Sequence, residues 1–231
     1  MKFLLGTHRP HWLAQLDVPL FVSDRTLRRY KTLPVATCDW ACDSGGFSQL
    51  SQCGTWACGP TPREYAARIR RYRDEIGRLL WAAPQDHMCE DAILARTGLD
   101  VARHQDLTVS NYLELRSIDA NLPFIPVLQG QSIADYHRCA DLYECRGVDL
   151  TTAPLVGWAA SADVSTPRKS SRSCVRWRNV AIDCMPLARK RWAWPAMAPS
   201  SPAVTLWHGL SLRVGSRRCV NAAGTADATT A

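Results

Sequence analysis

The chain has 231 residues, 46% of them hydrophobic and 21% charged, which fits one sizeable folded domain and excludes an intrinsically disordered chain. Its net charge of +7 is unevenly placed: residues 1–157 hold 17 Lys/Arg against 18 Asp/Glu, and residues 158–231 hold 11 against 3. The basic character that would suggest a nucleic-acid surface therefore belongs to the last third alone. No apolar run approaches the roughly 20 residues of a membrane helix, and MKFLLGTHRP is too short an apolar stretch for a secretory signal, so no membrane partner and a cytoplasmic location are expected.

Phe3–Leu5, Pro19–Val22 and Val35–Cys38 are short apolar runs bounded by polar or turn residues and are predicted as strands. Thr61-Pro62-Arg63-Glu64 supplies a cap, a first-turn proline and a returning glutamate, which predicts a helix start. Ile69, Tyr72, Ile76 and Leu79 then recur at helical spacing, leaving Arg68, Arg70, Arg71 and Arg73 largely outward. Leu80–Ala83 reads as the next buried strand, residues 101–115 as a helix and Phe124–Leu128 as a further strand. Ser132 with Asp135 marks a third helix, with Ile133, Tyr136, Ala140 and Tyr143 on one face, and Ala153–Val156 another short strand. Alternation of this kind argues for βαβ units around a parallel sheet; a barrel and an open doubly wound sheet both fit it.

Ten cysteines suggest a disulfide framework only in short secreted chains, so reduced, mostly core-packed thiols are expected. Cys38 with Cys42, and Cys53 with Cys58, lack the partner pair that a zinc site needs.

Functional groups in parallel βα folds gather at the C-terminal ends of strands. Three polar clusters fall there: Asp43-Ser44-Gly45-Gly46-Phe47, Gln85-Asp86-His87-Met88-Cys89-Glu90 and Gln129-Gly130. Each alone has a bland reading as a turn, a capped helix start or a polar loop. Three in succession favour a site.

These strings carry a resemblance. Asp43–Phe47 resembles the signature of queuine tRNA-ribosyltransferases and tRNA-guanine transglycosylases. Asp86 and Val127-Leu128-Gln129-Gly130 match that superfamily's next two base-pocket elements in order. The longer strings CDSGGFSQLSQCGTW, WAAPQDHMCE and PFIPVLQG look most like a compact branch of deazapurine DNA modification (DpdA-like) proteins. The resemblance covers residues 1–157. It implies an α/β fold of the (β/α)8 TIM-barrel type, present only in its N-terminal part, and exchange of guanine for a 7-deazaguanine in tRNA or DNA. It further implies that Asp43 is the general acid/base at the reacting base. Asp86 and Gln129 would bind the base edge, Gly130 and Gly157 would give backbone contacts, and Met88 would pack on the purine face. Ser44, Gly45, Gly46 and Phe47 complete the implied pocket.

Residues 158–231 depart from the family pattern. They carry five of the nine tryptophans and no glutamate, and are read as a basic, poorly ordered tail. Codons for Trp158–Ser165, read one nucleotide earlier, can spell the Leu-Gly-Ser-Val-Cys-Arg-Arg-Gln that the family has next. Residues 191–209 allow the same shift into a string like the family's nucleophile region. A frameshift after Gly157 is the expectation, so the nucleophilic Asp and the family's Cys/His zinc site have no counterpart here, and no metal or cofactor is expected. Ile182-Asp183-Cys184-Met185-Pro186 imitates a nucleophile motif but falls too soon after Gly157. The expected function is an impaired base-exchange enzyme. The alternatives are a barrel hydrolase using Asp43, Asp86 or Glu90 as paired carboxylates, and a non-catalytic protein binding nucleic acid through the tail.

Overall fold

The structure is a computed structural model, described here for residues 3–160. The expected tail beyond Ala160, its alternate frame and the Ile182–Pro186 string lie outside the described residues.

Four strands, β1 (Leu5–Thr7), β2 (Leu20–Ser23), β3 (Trp40–Asp43) and β4 (Leu79–Ala82), pair in parallel in the order of the chain. β5 (Val127–Gly130) and β6 (Gly157–Ala160) form a second parallel pair. A parallel bridge between Ala82 and Phe124 joins the two sheets, with Ile125 N–H donating to the Ala82 carbonyl at 3.2 Å. Parallel neighbours need crossover connections. Here α2 (Gly46–Cys53) and α3 (Pro62–Glu75) link β3 to β4, α4 (Asp91–Thr97) and α5 (Val101–Ile118) link β4 to β5, and α6 (Ile133–Cys145) links β5 to β6; the single-turn α1 (Asp24–Leu27) follows β2. The fold is α/β with a parallel sheet and helices.

The helix starts follow local chemistry. Thr61 Oγ1 accepts from the Glu64 N–H at 3.3 Å while Glu64 returns a carboxylate to the Thr61 N–H at 2.8 Å, and Ser132 with Asp135 repeats the device on α6. Tyr65, Ala66, Ile69 and Tyr72 of α3, Val109 and Leu115 of α5, and Cys139 and Tyr143 of α6 pack with Leu20, Val22, Trp40, Cys42 and Ala82 in one core. Each such large apolar side chain contributes roughly 1.5–3 kcal/mol by leaving water.

Several elements differ from expectation. Val35–Cys38 is not a strand: Val35 is 70% exposed, and the Ala36 and Thr37 N–H groups bond to the Ile76 and Leu13 carbonyls, so sheet pairing starts only at Trp40. β1 begins at Leu5, where pairing with Leu20 starts, leaving Phe3 outside it and 78% exposed, and pairing of β6 with β5 begins at Gly157 rather than at Ala153. Ile133 opens α6 on its exposed side. Arg68 turns inward, because fully buried Asp24 recruits it: Nε and Nη2 reach the two carboxylate oxygens at 2.7 and 2.9 Å, and the Tyr72 hydroxyl donates to Oδ1 at 2.9 Å. Losing Arg68 would strand that carboxylate, a change that costs about 3–5 kcal/mol in comparable buried pairs. Cys42, Cys89 and Cys139 are core thiols as expected, but Cys53 and Cys58 are exposed, and Cys145 is disulfide-bonded rather than reduced. Among the described residues, no helix is long and apolar enough to cross a membrane.

Candidate active site

Parallel pairing within the sheets and across the Ala82–Phe124 bridge brings the C-terminal ends of β3, β4 and β5 together. β3 ends on Asp43, and the chain turns immediately through Ser44 and Gly45 into α2. Gly45 has φ +79°, a conformation that side chains resist, and a Cβ on it would lie 3.0 Å from Ser23 Oγ. Burial pushes the half-buried Asp43 carboxyl above the usual carboxylate range, against N–H donation from Gly45 and a hydrogen bond from Ser23.

The loop after β4 carries Asp86, which is 5% exposed. Its two carboxylate oxygens are held from neighbouring strand ends: Ser44 Oγ donates to Oδ1 at 3.3 Å and Gln129 Nε2 donates to Oδ2 at 2.7 Å. The Trp56 indole N–H donates to the Asp86 backbone carbonyl at 3.1 Å. Burial above all, then the charge of Asp43 and that of Glu90, pushes the Asp86 carboxyl up to about 7. An acid poised there can accept, donate or relay a proton near neutrality. Gly46 permits the closeness of these parts, since a Cβ on it would sit 2.7 Å from Met88 Cε and 3.0 Å from Asp86 Oδ1.

A loop buried this deeply must satisfy its own backbone. One face of α5 does so. Asn111 Oδ1 accepts from the Gln85 N–H at 2.8 Å, Thr108 Oγ1 accepts from the His87 N–H at 2.9 Å, and His104 Nδ1 meets the Met88 carbonyl at 2.6 Å. A carbonyl only accepts, so Nδ1 carries the proton. Burial holds His104 below the usual histidine range, which leaves Nε2 to accept from Thr97 Oγ1 at 2.8 Å. On the same helix Gln105 donates from Nε2 to the Gln129 and Asp135 carbonyls at 2.6 and 2.8 Å, and Arg138 Nε donates to its Oε1 at 2.9 Å.

Thus Ser44, Gly46, Asp86, Met88 and Gln129 come into one cluster, with Asp43 close enough to act electrostatically on Asp86. Phe47 is half-buried at the second position of α2. Gly130 is crowded by α6, a Cβ there falling 2.6 Å from Asp135 Cβ. Gly157 is not brought to Asp86: it opens β6 opposite Val127. Trp56, His104, Gln105, Thr108 and Asn111 escaped the sequence reading. Their signal was a polar stripe at 104, 108 and 111 on a helix that otherwise buries Val109, Tyr112 and Leu115.

An open groove lies elsewhere among the described residues. About 830 Å³ in volume, it runs past the N-terminal ends of the strands, lined by Leu4, Leu80, Trp81, Phe124, Ile125 and Leu155 among others. It is apolar for the most part and contains none of the cluster residues. Among the described residues no group of three or more His, Cys, Asp or Glu is placed to hold a metal ion.

A family model described as DpdA, DeoxyPurine in DNA protein A, matches residues 1–176, a span that takes in the whole polar cluster and runs past Gly157. No curated protein and no solved structure matches the chain.

Proposed function

The chain belongs to the DpdA family, DeoxyPurine in DNA protein A, and on that premise we propose that its strand-end cluster is the base pocket of a transglycosylase that exchanges guanine for a 7-deazaguanine in DNA. The observation that carries this reading is the Asp86 carboxylate, buried and gripped by Ser44 and Gln129 from adjoining strand ends. Guanine and its 7-deaza analogues present N–H donors along one edge, and an ionised Asp86 retains lone pairs to accept them. Gln129 and Ser44 fix the direction in which the carboxylate faces. Met88, against Gly46, offers a soft apolar surface for the ring. Asp43, with its raised pKa, is placed to protonate a departing base and to take the proton back from an incoming one. A base in duplex DNA would leave its stack to reach the pocket.

Sequential, all-parallel strand order with no point of reversal among the described strands supports a βα barrel over a doubly wound sheet. Exchange also needs a carboxylate to attack the sugar carbon. The family's nucleophile string falls in the part of the sequence read as out of frame, so this chain binds a base but turns over weakly.

Calorimetry on the full chain with 7-deazaguanine, paired with incorporation of labelled base into guanine-containing DNA and tRNA, tests the reading. The expected result is base binding, weakened at least about tenfold in Asp86→Asn, with incorporation near background. Because the base edge favours ionised Asp86, affinity falls as pH drops below about 7. Absence of binding would overturn the pocket, and vigorous incorporation would overturn the impairment. Preference for tRNA would overturn the choice of DNA. Release of free guanine without incorporation would favour a hydrolase built on Asp43, Asp86 or Glu90.

A further inference from the structure

Cys53 closes α2, and Cys58 follows across a turn in which Gly54 adopts φ +69°. Both thiols are free and exposed, and the turn folds Cys58 back onto α2, near enough to Cys53 for that thiol to be the largest influence raising its pKa. Gln49 holds the turn from within, donating from Nε2 to the Thr55 carbonyl at 3.1 Å and to Cys58 Sγ at 3.4 Å. Between the two cysteines lies Trp56, whose indole donates to the Asp86 carbonyl. The other described thiols differ: Cys42, Cys89 and Cys139 are buried, and Cys38 is occupied with Asp17 at 3.0 Å.

We propose that Cys53 and Cys58 form a dithiol redox site that takes a small disulfide oxidant and, on closing, ties down the loop that braces Asp86. In the first step one cysteine thiolate attacks a sulfur of a disulfide such as oxidised glutathione, forming a mixed disulfide and expelling one glutathione thiolate. The second cysteine thiolate then attacks the protein sulfur of that mixed disulfide and expels the other. Two protein thiols are oxidised to one disulfide, one external disulfide is reduced to two thiols, and the two cysteine protons pass to the departing sulfurs. The contact with Cys53 holds Cys58 toward its protonated form, so closure accelerates as pH rises. The site stands independently of the base-pocket reading, since it concerns only the loop and its hold on the Asp86 backbone.

The test uses the reduced full chain, incubated with oxidised glutathione at about pH 8, alkylated and digested with chymotrypsin. Cleavage after Leu50 and Trp56 leaves the two cysteines on separate peptides. The expected product is that peptide pair joined by a disulfide, about 2 Da lighter than the two reduced peptides together. It disappears in Cys53→Ser and in Cys58→Ser, and persists in Cys38→Ser. Hydrogen exchange of the Gln85–Met88 amides slows by about threefold on oxidation of the native chain and is unchanged in Cys53→Ser. Glutathione retained on Cys53 or Cys58, free thiols persisting at both, or linkage of either to another cysteine would overturn the site. Unaltered exchange at Gln85–Met88 would overturn its connection to Asp86.

Discussion

The two ends of the parallel sheet are built on opposite principles. At the C-terminal ends, Asp86 has both carboxylate oxygens and its backbone carbonyl engaged, and α5 ties each neighbouring backbone group. At the N-terminal ends, Leu80 and Trp81 face an open groove of about 830 Å³ with few polar groups to orient a ligand. Open volume and converging polar groups therefore lie apart among the described residues. Affinity for a particular base comes from converging donors and acceptors of restricted freedom, and an open apolar trough supplies neither.

Substitutions can break or sharpen that contrast. Asp86→Ala should have the largest effect, removing the acceptor for the base and leaving Gln129 and Ser44 unpaired. We expect base affinity to fall about 100-fold by calorimetry and stability to drop by about 1–3 kcal/mol in urea. Gln105→Leu touches no ligand but strips the donors from the Gln129 and Asp135 carbonyls. Its stability loss should be of similar size, about 1–3 kcal/mol, read as a lowered urea midpoint. Gly46→Ala should weaken base binding about tenfold, with a smaller stability cost, because the nearest obstruction, Met88 Cε, is the end of a flexible side chain.

Protonation offers a subtler probe of the polar end. Burial holds His87 down to about 4 from 6.5, so the stability gained by keeping it neutral is present above pH 6.5 and is lost as pH falls toward 4. Asp86 is raised from 3.8 to about 7, so the fold favours its neutral acid, and that contribution is lost as pH rises from 3.8 toward 7. The two slopes oppose each other between pH 4 and 6.5. Asp86→Asn should leave stability rising with pH across that window and His87→Phe should leave it falling, as urea midpoints at about pH 4.5 and 6.5 would record. The smallest effect belongs to the groove: Leu80→Ser, at a side chain 38% exposed, should change stability by no more than about 0.5 kcal/mol and leave base binding untouched.

Much of the polar end was legible because its residues sit in unbroken strings directly after apolar runs. Asp43 closes β3 with Ser44–Phe47 directly after it, and Gln129-Gly130 closes β5. The capping pairs Thr61/Glu64 and Ser132/Asp135 declared themselves for the same reason, since each interaction spans three residues. What escaped was long-range or out of phase. Arg68 reads as a solvent-facing charge until Asp24, 44 residues away in sequence, is seen to be buried beneath it. Val35–Cys38 has strand composition, but its backbone partners are the Ile76 and Leu13 carbonyls rather than a neighbouring strand. The stripe on α5 looked like an imperfection in an apolar face because its partners, the Gln85, His87 and Met88 backbone groups, lie in a loop with no periodicity of its own.

That stripe also sets which edits α5 tolerates. A helix advances about 100° per residue, so His104, Thr108 and Asn111 face the same way only while the number of residues between them is kept. Inserting or deleting one residue between His104 and Asn111 would rotate part of the row away from its loop, however conservative the residue chosen. Replacing outward side chains such as Ala102 or Glu114 leaves the row in place. For this helix length is the protected quantity, and an indel should do more harm than any single exchange on its outer surface.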